Sequence, residues 1–373
     1  ASVVRWEIGG GDADVGHILA QPVVAKLKNG RWVAIVGNGY NSSNARAVLL
    51  LVDLETGAIT RIDTLSGSAG APNGLSAVVA VSSSNNGVAD TVYAGDLAGQ
   101  VWKFDLSSAT AAGWGVAYGS AASPQPLFTA AAGQAITARL DVTAHPQGGW
   151  MLVFGSGRYL DVADTAAGSS QALYGIWDNG SVVPTGSLVD QSVLGQATAD
   201  GRTWRFTSHV VGAPSQTSYT GDSALTRASY LATKRGWKLT LPSSGERIVA
   251  QASIRYGKAI VSTLIPNTAL CSFGGDGWVL EVDAITGNRP DAPALDSNAD
   301  NLVTTSDLLS YDGGNAYASG VRINAIPAAP GFVRTQNRSL DDKLVNTSNG
   351  TVVRVREAGN AATSRRTSWE QLQ

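Results

Sequence analysis

Short apolar bursts broken by Gly, Asp and Asn run the length of the chain, and they predict strands joined by tight turns. The apolar run 47–53, Ala47-Val48-Leu49-Leu50-Leu51-Val52-Asp53, leads into Leu54-Glu55-Thr56-Gly57 and a second strand, Ala58 to Ile62. An Asp opening the turn and a Gly at its left-handed position are hairpin chemistry. The same arrangement returns at Trp278 to Asp283, closed by Ala284-Ile285-Thr286-Gly287. A third relative runs from Thr91 to Asp105, where Asp96-Leu97-Ala98-Gly99 separates two short strands. Further strands are predicted at Trp32–Gly37, Trp150–Gly155, Leu173–Trp177, Arg202–Thr207, Gly236–Leu241, Arg247–Ile254 and Lys258–Leu264, with glycine-rich corners such as Gly37-Asn38-Gly39 and Gly155-Ser156-Gly157 between them. Many short strands with aromatic and glycine punctuation suggest radial repetition, so the expected fold class is all-β, a propeller. A blade of roughly 40–50 residues gives about seven blades. The period is irregular, and Ser107–Ala135, Val182–Asp200 and Gly212–Lys234 are expected to be surface inserts.

Three segments follow from this pattern: a lead-in over residues 1–16, the propeller over 17–330, and a closing strand and tail over 331–373. The tail carries Arg334, Arg338, Lys343, Arg354, Arg356, Arg365 and Arg366. A charge run of this kind is expected to face water, or to dock a partner. Thr351–Arg356 is expected to form one strand.

Composition sharpens the picture. Glycine supplies 43 of 373 residues, against a usual ~7%. Charged residues are 15%, and the net charge is −2. That excludes general electrostatic binding to nucleic acid or an acidic membrane. No apolar run approaches the ~20 residues that span a bilayer. One cysteine, Cys271, forbids an internal disulfide and a cysteine-built zinc site, and it reads as a small buried filler. The opening Ala1-Ser2-Val3-Val4-Arg5 has no signal-peptide pattern and looks like an internal cut, as expected of a piece of a longer protein.

The candidate chemistry is concentrated in one segment. Asp296, Asn298, Asp300, Leu302, Thr304 and Asp307 fall at positions 1, 3, 5, 7, 9 and 12 of a loop, the spacing by which an EF-hand-type loop wraps Ca2+. Leu302 would offer its backbone carbonyl, Thr304 would bind directly or through water, and Asp307 would close the sphere. Position 6, normally Gly, is Asn301, the residue type that next best tolerates a positive φ. The alternative is an ordinary polar turn, since Asp, Asn, Ser and Thr are turn residues in any case. A second loop offers Ser82, Ser84, Asn86, Val88 and Asp90. It has a single carboxylate, so it is expected to bind metal weakly or to be a hydrogen-bonded turn without it.

Catalytic arrangements are thin. His17, His145 and His209 lack metal spacing, and the glycine stretches lack the Lys-Ser/Thr of a phosphate loop. The ten tryptophans mostly sit in alternating strand patterns, which favours core packing over a glycan-binding surface.

The run Asp90-Thr91-Val92-Tyr93-Ala94-Gly95-Asp96-Leu97-Ala98-Gly99-Gln100-Val101-Trp102-Lys103-Phe104-Asp105-Leu106 resembles the signature of the PilY/PilC family of type IV pilus biogenesis factors and tip adhesins. Gln21-Pro22-Val23-Val24, Gly37-Asn38-Gly39-Tyr40, His145-Pro146-Gln147-Gly148-Gly149, Gly155-Ser156-Gly157-Arg158-Tyr159-Leu160, Tyr174-Gly175-Ile176-Trp177-Asp178, Cys271-Ser272-Phe273-Gly274-Gly275 and Arg365-Arg366-Thr367-Ser368-Trp369 are similar to the family in the same order. The resemblance implies a modified seven-bladed β-propeller with irregular inserted loops, the C-terminal domain of a larger exported protein. It implies a place at the pilus tip or outer membrane, minor pilins as partners, and a calcium-dependent balance of pilus extension against retraction. It places the family's nine-residue calcium loop on Ser82–Asp90, where Ser82, Ser84 and Asn86 depart from the family's ligands, and its other acidic loop on Asp296–Asp307, which is intact. No Arg-Gly-Asp tripeptide occurs.

The expected function is therefore non-enzymatic: a calcium-binding pilus module acting in twitching motility, surface adhesion to host or abiotic ligands, and virulence. Two alternatives stand beside it. A periplasmic quinoprotein enzyme is also a propeller, but one cysteine excludes the vicinal disulfide some of those carry. A glycan-binding propeller is the other.

Overall fold

The computed structural model describes residues 4, 6–9, 11–166, 168–267, 269, 274–337 and 339–359. Cys271, Arg338, Arg365, Arg366 and Trp369 lie outside the described residues, as do parts of the 1–16 lead-in and of the 331–373 tail. The protein is built almost wholly from antiparallel sheets. The first runs Val23–Leu27, Trp32–Gly37, Val48–Asp53, Ile59–Asp63 as a meander. The second is built around Leu75–Val81, Thr91–Asp96 and Gln100–Asp105. The third holds Asp141–Ala144, Trp150–Gly155, Ala172–Asp178 and Gly236–Thr240, and the fourth Arg202–Thr207, Gly320–Ile323, Gly275–Asp283 and Lys258–Ser262. Gly331–Arg334, Leu340–Asn346 and Val352–Ala358 form a closing sheet.

The hairpin chemistry is the one predicted. Asp53 Oδ1 accepts from the Glu55 and Thr56 amides and from Thr56 Oγ1, at 2.9–3.0 Å. Asp283 Oδ1 does the same with Ile285, Thr286 and Thr286 Oγ1, at 2.8–3.0 Å. Each turn closes on a glycine with positive φ, Gly57 at 76° and Gly287 at 71°. Asp96, fully buried, accepts instead from the indole of Trp102, from Asn73 and from the Gln100 amide. Trp102, Trp204, Trp237 and Trp278 are all fully buried between sheets. Glycine also lets the chain between sheets approach a strand: a Cβ on Gly155 would lie 2.2 Å from Cβ of Ile248.

Five expectations change. Arg247–Ile254 is not a strand. Arg247 makes only a bridge to Leu264, and the ladder begins at Ser253. Its guanidinium instead reaches the carbonyls of Arg158, Asp164, Gly245 and Ala166, so the segment acts as a joint between sheets. Val182–Asp200 is not an insert but contains the strands Val189–Gln191 and Val193–Ala199. The pattern hid because the buried face carries Gln191, whose Nε2 donates to the Thr286 carbonyl at 2.9 Å and to Asn288 Oδ1 at 2.8 Å. Within Ser107–Ala135, Leu127 and Phe128 are buried core residues, and Gly212–Lys234 carries a short helix, Arg227–Thr233, that buries Tyr230. The closing region holds three strands where one was expected, and it is not simply solvated: Lys343 is fully buried.

Around Lys343 lies a buried charge cluster. Lys343 Nζ meets Glu281 Oε2 and lies 2.7 Å from Glu357 Oε2, while Lys258 Nζ lies 2.5 Å from Glu281 Oε1. Burial pushes the Glu281 carboxyl up, but Lys258 and Lys343 overcome it and hold it at about 2. Glu357, with burial and the Glu281 charge against it, is raised in spite of Lys343.

Candidate calcium loop

Residues 296–307 start from the closing sheet and lead into the separate hairpin Leu309–Tyr311/Gly314–Ala316. The Asp296 amide donates to the Arg356 carbonyl at 3.1 Å, and Leu295 bridges Glu357. From there the chain winds as an Asx-rich loop. Asp296 Oδ2 accepts from the amide of Asn301, five residues on, at 3.0 Å. Asn298 Oδ1 accepts from the Asp300 amide at 3.0 Å, and Asp300 Oδ1 from the Leu302 amide at 2.7 Å. Asn301 takes φ 67°, so it supplies the left-handed turn that the missing glycine would have made. Ala299, at φ 56°, is a second left-handed residue that sequence reasoning did not single out.

The far end of the loop is a short 3-10 helix, Thr305–Asp307, with Thr304 as its cap. Asp307 is buried and folds back across the loop: Oδ1 accepts from the Ser297 amide at 2.7 Å and Oδ2 from the Thr304 amide at 2.8 Å. Thr304 Oγ1 and Ser306 Oγ lie 2.7 Å apart, and Asn298 Nδ2 donates to Ser306 Oγ at 3.1 Å. Leu302 is exposed. The loop thus brings Asp296, Asn298, Asp300 and Asp307 into one fold of chain, with Thr304 tied to it through Ser306.

One atom is left over. Asp296 Oδ1 is buried and has no hydrogen-bond partner among the described residues. Burial first, and then the Asp307 and Asp300 charges, raise the Asp296 carboxyl above its ordinary value against the opposing Asn301 amide. An unpartnered buried carboxylate oxygen facing like charges is a position that a cation would relieve. Among the described residues no three His, Cys, Asp or Glu side chains converge tightly enough to hold a metal by themselves. A cation here would draw on amide, hydroxyl and carbonyl oxygens as well as carboxylates, a donor set that suits a hard divalent ion.

Two residues from the basic tail belong to this site. Arg354 Nη2 donates to Asn301 Oδ1 at 2.8 Å, and Arg356 Nη1 to the Asn301 carbonyl at 2.9 Å. Arg356 is itself paired with Asp342 at 2.9 Å. Their i, i+2 spacing in a strand was the available signal, since it puts both on one face. They fix the left-handed corner without touching the loop carboxylates.

The Ser82–Asp90 loop is different. Ser82 Oγ donates to Asn86 Oδ1 at 3.1 Å, and Asn86 Oδ1 accepts from the Val88 amide at 3.0 Å. Both oxygens of Asp90 are taken, by Ser83 Oγ and Thr91 Oγ1 on one side and by the Ser83 amide on the other. Ser84 is exposed, and Val88–Ala89 pairs in parallel with Lys26–Leu27. Protein donors hold this loop in shape.

The histidines are dispersed. His145 stacks on Trp177 with ring centres 4.2 Å apart, and burial together with Arg227 lowers its pKa to about 4. His209 is lowered as well, chiefly by burial. His17 bridges Tyr40. Among the described residues no helix is long and apolar enough to cross a membrane.

A succession of short antiparallel meanders in chain order is the architecture of a β-propeller. The family model of the PilY1 beta-propeller domain matches residues 9–202, and the chain belongs to that family. It is 34% identical over 351 residues to the type IV pilus biogenesis factor PilY1 of Pseudomonas aeruginosa, covering 84% of this chain and 29% of that protein. A PilY1 homolog of Xylella fastidiosa is 36% identical over 307 residues, covering 77% of this chain and 20% of that protein. The crystal structure of the Pseudomonas aeruginosa PilY1 C-terminal domain superposes with a TM-score of 0.76 at 30% identity, covering 94% of this chain and 74% of that one. The chain therefore spans less than a third of the length of the curated relatives it matches.

Proposed function

We propose that this chain is a non-enzymatic, calcium-binding propeller module of a type IV pilus biogenesis factor. It works at the pilus tip or outer membrane with minor pilins, and it helps to balance extension against retraction and so affects twitching motility, surface adhesion and virulence. Membership of the PilY1 propeller family supports the pilus assignment. The observation that carries the calcium assignment is the unpartnered Asp296 Oδ1 inside an EF-hand-like winding.

Asp296, Asn298, Asp300, the Leu302 carbonyl, Thr304 and Asp307 would hold the ion. Calcium would supply charge neutralisation and rigidity, not a reaction. Its binding to the folded loop alone stabilises by RT ln(1 + [L]/Kd), about 2.7 kcal/mol at a hundredfold excess over Kd. The loop leads into the Leu309–Tyr311/Gly314–Ala316 hairpin, where Tyr311 stacks on Phe206 at 4.8 Å. A fixed loop therefore presents a fixed hairpin, which suits a partner-binding surface.

Calorimetric titration with calcium tests this reading. One site per chain is expected, lost in Asp300→Ala and retained in Asp90→Ala. Loss in Asp90→Ala with retention in Asp300→Ala would move the site to the other loop. The pilus role is tested by exchanging this chain into the Pseudomonas relative and scoring piliation and twitching with and without Asp300→Ala.

A further inference from the structure

A cavity of about 630 Å3 opens where the chain leads into strands of four different sheets, before Val23, at Leu75–Ala77, at Thr137–Arg139 and at Val249–Gln251. Strands that begin successive sheets surround the axis of a propeller, so this cavity is the mouth of its central channel. Its lining is unusual in charge. Arg139 is exposed in it and has no hydrogen bond or ion pair to its side chain among the described residues. No Asp or Glu among the described residues lines it. Arg31, Arg46 and Arg61, which are exposed as well, are paired with carboxylates, whereas Arg139 is not. Ile18, Leu19, Leu160 and Val249 supply an aliphatic part of the mouth, with Tyr159 beside them, and Gln21, Ser76, Thr137 and Gln251 add uncharged polar groups. Leu19 at 73%, Leu160 at 40% and Ile18 and Tyr159 at 36% are exposed together around this one cavity, a grouping that marks an interaction site.

We propose that the channel mouth binds an extended peptide segment of a partner protein that carries a carboxylate beside an aliphatic side chain. The carboxylate pairs with the Arg139 guanidinium, which can form two parallel hydrogen bonds to it. The neighbouring side chain covers Leu19 and Leu160. The volume accommodates a few residues. An acidic glycan is the competing chemistry, but sugar rings are generally gripped on broad aromatic faces, and the aromatic side chains here are Tyr159 and the buried Tyr40, with no tryptophan. The site is remote in sequence from Asp296–Asp307 and its test is independent of calcium.

The test pans a randomised twelve-residue peptide display library against the full chain. Enriched peptides are expected to carry Asp or Glu next to Leu, Ile, Val or Phe. Their affinity should fall about tenfold or more in Arg139→Gln, recover in part in Arg139→Lys, and fall in Leu19→Ser without loss of the acidic preference. Arg139 has no internal partner, so each variant should melt like the parent, and the melt is checked. Absence of acidic enrichment, or equal binding to Arg139→Gln, overturns the proposal. Binding of sialylated or uronic oligosaccharides that is lost in Arg139→Gln, with no peptide selected, assigns the mouth to acidic glycans instead.

Discussion

Asp296 shows how much depends on one oxygen. Its carboxyl is raised in the folded chain, so its stabilising contribution is present below the unfolded carboxylate pKa of ~3.9 and is lost as pH rises through the folded value. At neutral pH without metal, the charge works against the fold. Asp296→Asn should therefore melt at or above the parent temperature in chelator at pH 7, yet below it in saturating calcium, with affinity weakened on the order of tenfold or more. Paired melts by differential scanning calorimetry check the crossover. A variant less stable in both conditions would mean that Asp296 is simply a hydrogen-bonded turn residue. Glu281 has the opposite sign. Its carboxyl is held at about 2, so its contribution is full above the unfolded value and disappears as pH falls toward about 2. The parent should lose stability between pH ~4.3 and ~2 more steeply than Glu281→Gln. Denaturant midpoints across that window decide it. Glu357, raised beside it, acts above that window: its contribution is full below the unfolded value and is lost as pH rises through its own.

At the scale of elements, legibility followed hydrogen-bond chemistry. The Asp-x-x-Thr-Gly turns could be read because each residue acts locally, as acceptor, donor or left-handed corner. Arg202–Thr207, Trp32–Gly37 and Trp150–Gly155 could be read because apolar side chains mark their buried faces. Val189–Gln191 could not, because it turns inward an amide whose partners are Ser208 and, nearly a hundred residues on, Thr286 and Asn288. Arg247 misled for a similar reason, since its partners are carbonyls of a distant loop. In the loop, the spacing of Asp296, Asn298 and Asp300 was legible, while the two arginines that hold Asn301 were visible only as a charge run. The paired turns also yield a graded prediction. Thr286 and Asn288 are buried beside Asp283, whereas Glu55 and Thr56 are exposed beside Asp53. Water can replace the lost acceptor at Asp53 but not at Asp283. Asp283→Ala should cost about 1–3 kcal/mol by chemical denaturation, and Asp53→Ala distinctly less.

For the whole molecule, the question is what closes the ring of sheets. Residues 331–359 enter the core of the neighbouring sheet: Val345 and Val355 are fully buried with Trp204, Phe206 and Val279. Lys343 from the same segment neutralises Glu281, which belongs to that sheet. The segment also supplies the strand against which the candidate calcium loop begins, and the two arginines that fix its corner. It is thus a closing element and a loop scaffold together. Truncation after Pro330 removes two buried valines, worth about 1.5–3 kcal/mol each. It also leaves Glu281 with Lys258 as its remaining partner, and breaking a buried ion pair costs about 3–5 kcal/mol. Together these approach the about 5–15 kcal/mol that holds a typical domain folded. The truncated chain should therefore bind hydrophobic dye, lose its cooperative melt and fail to bind calcium, although it retains every residue of the 296–307 loop. If it melts cooperatively and still titrates with calcium, the closing sheet is an appendage, and the loop is held by the propeller alone.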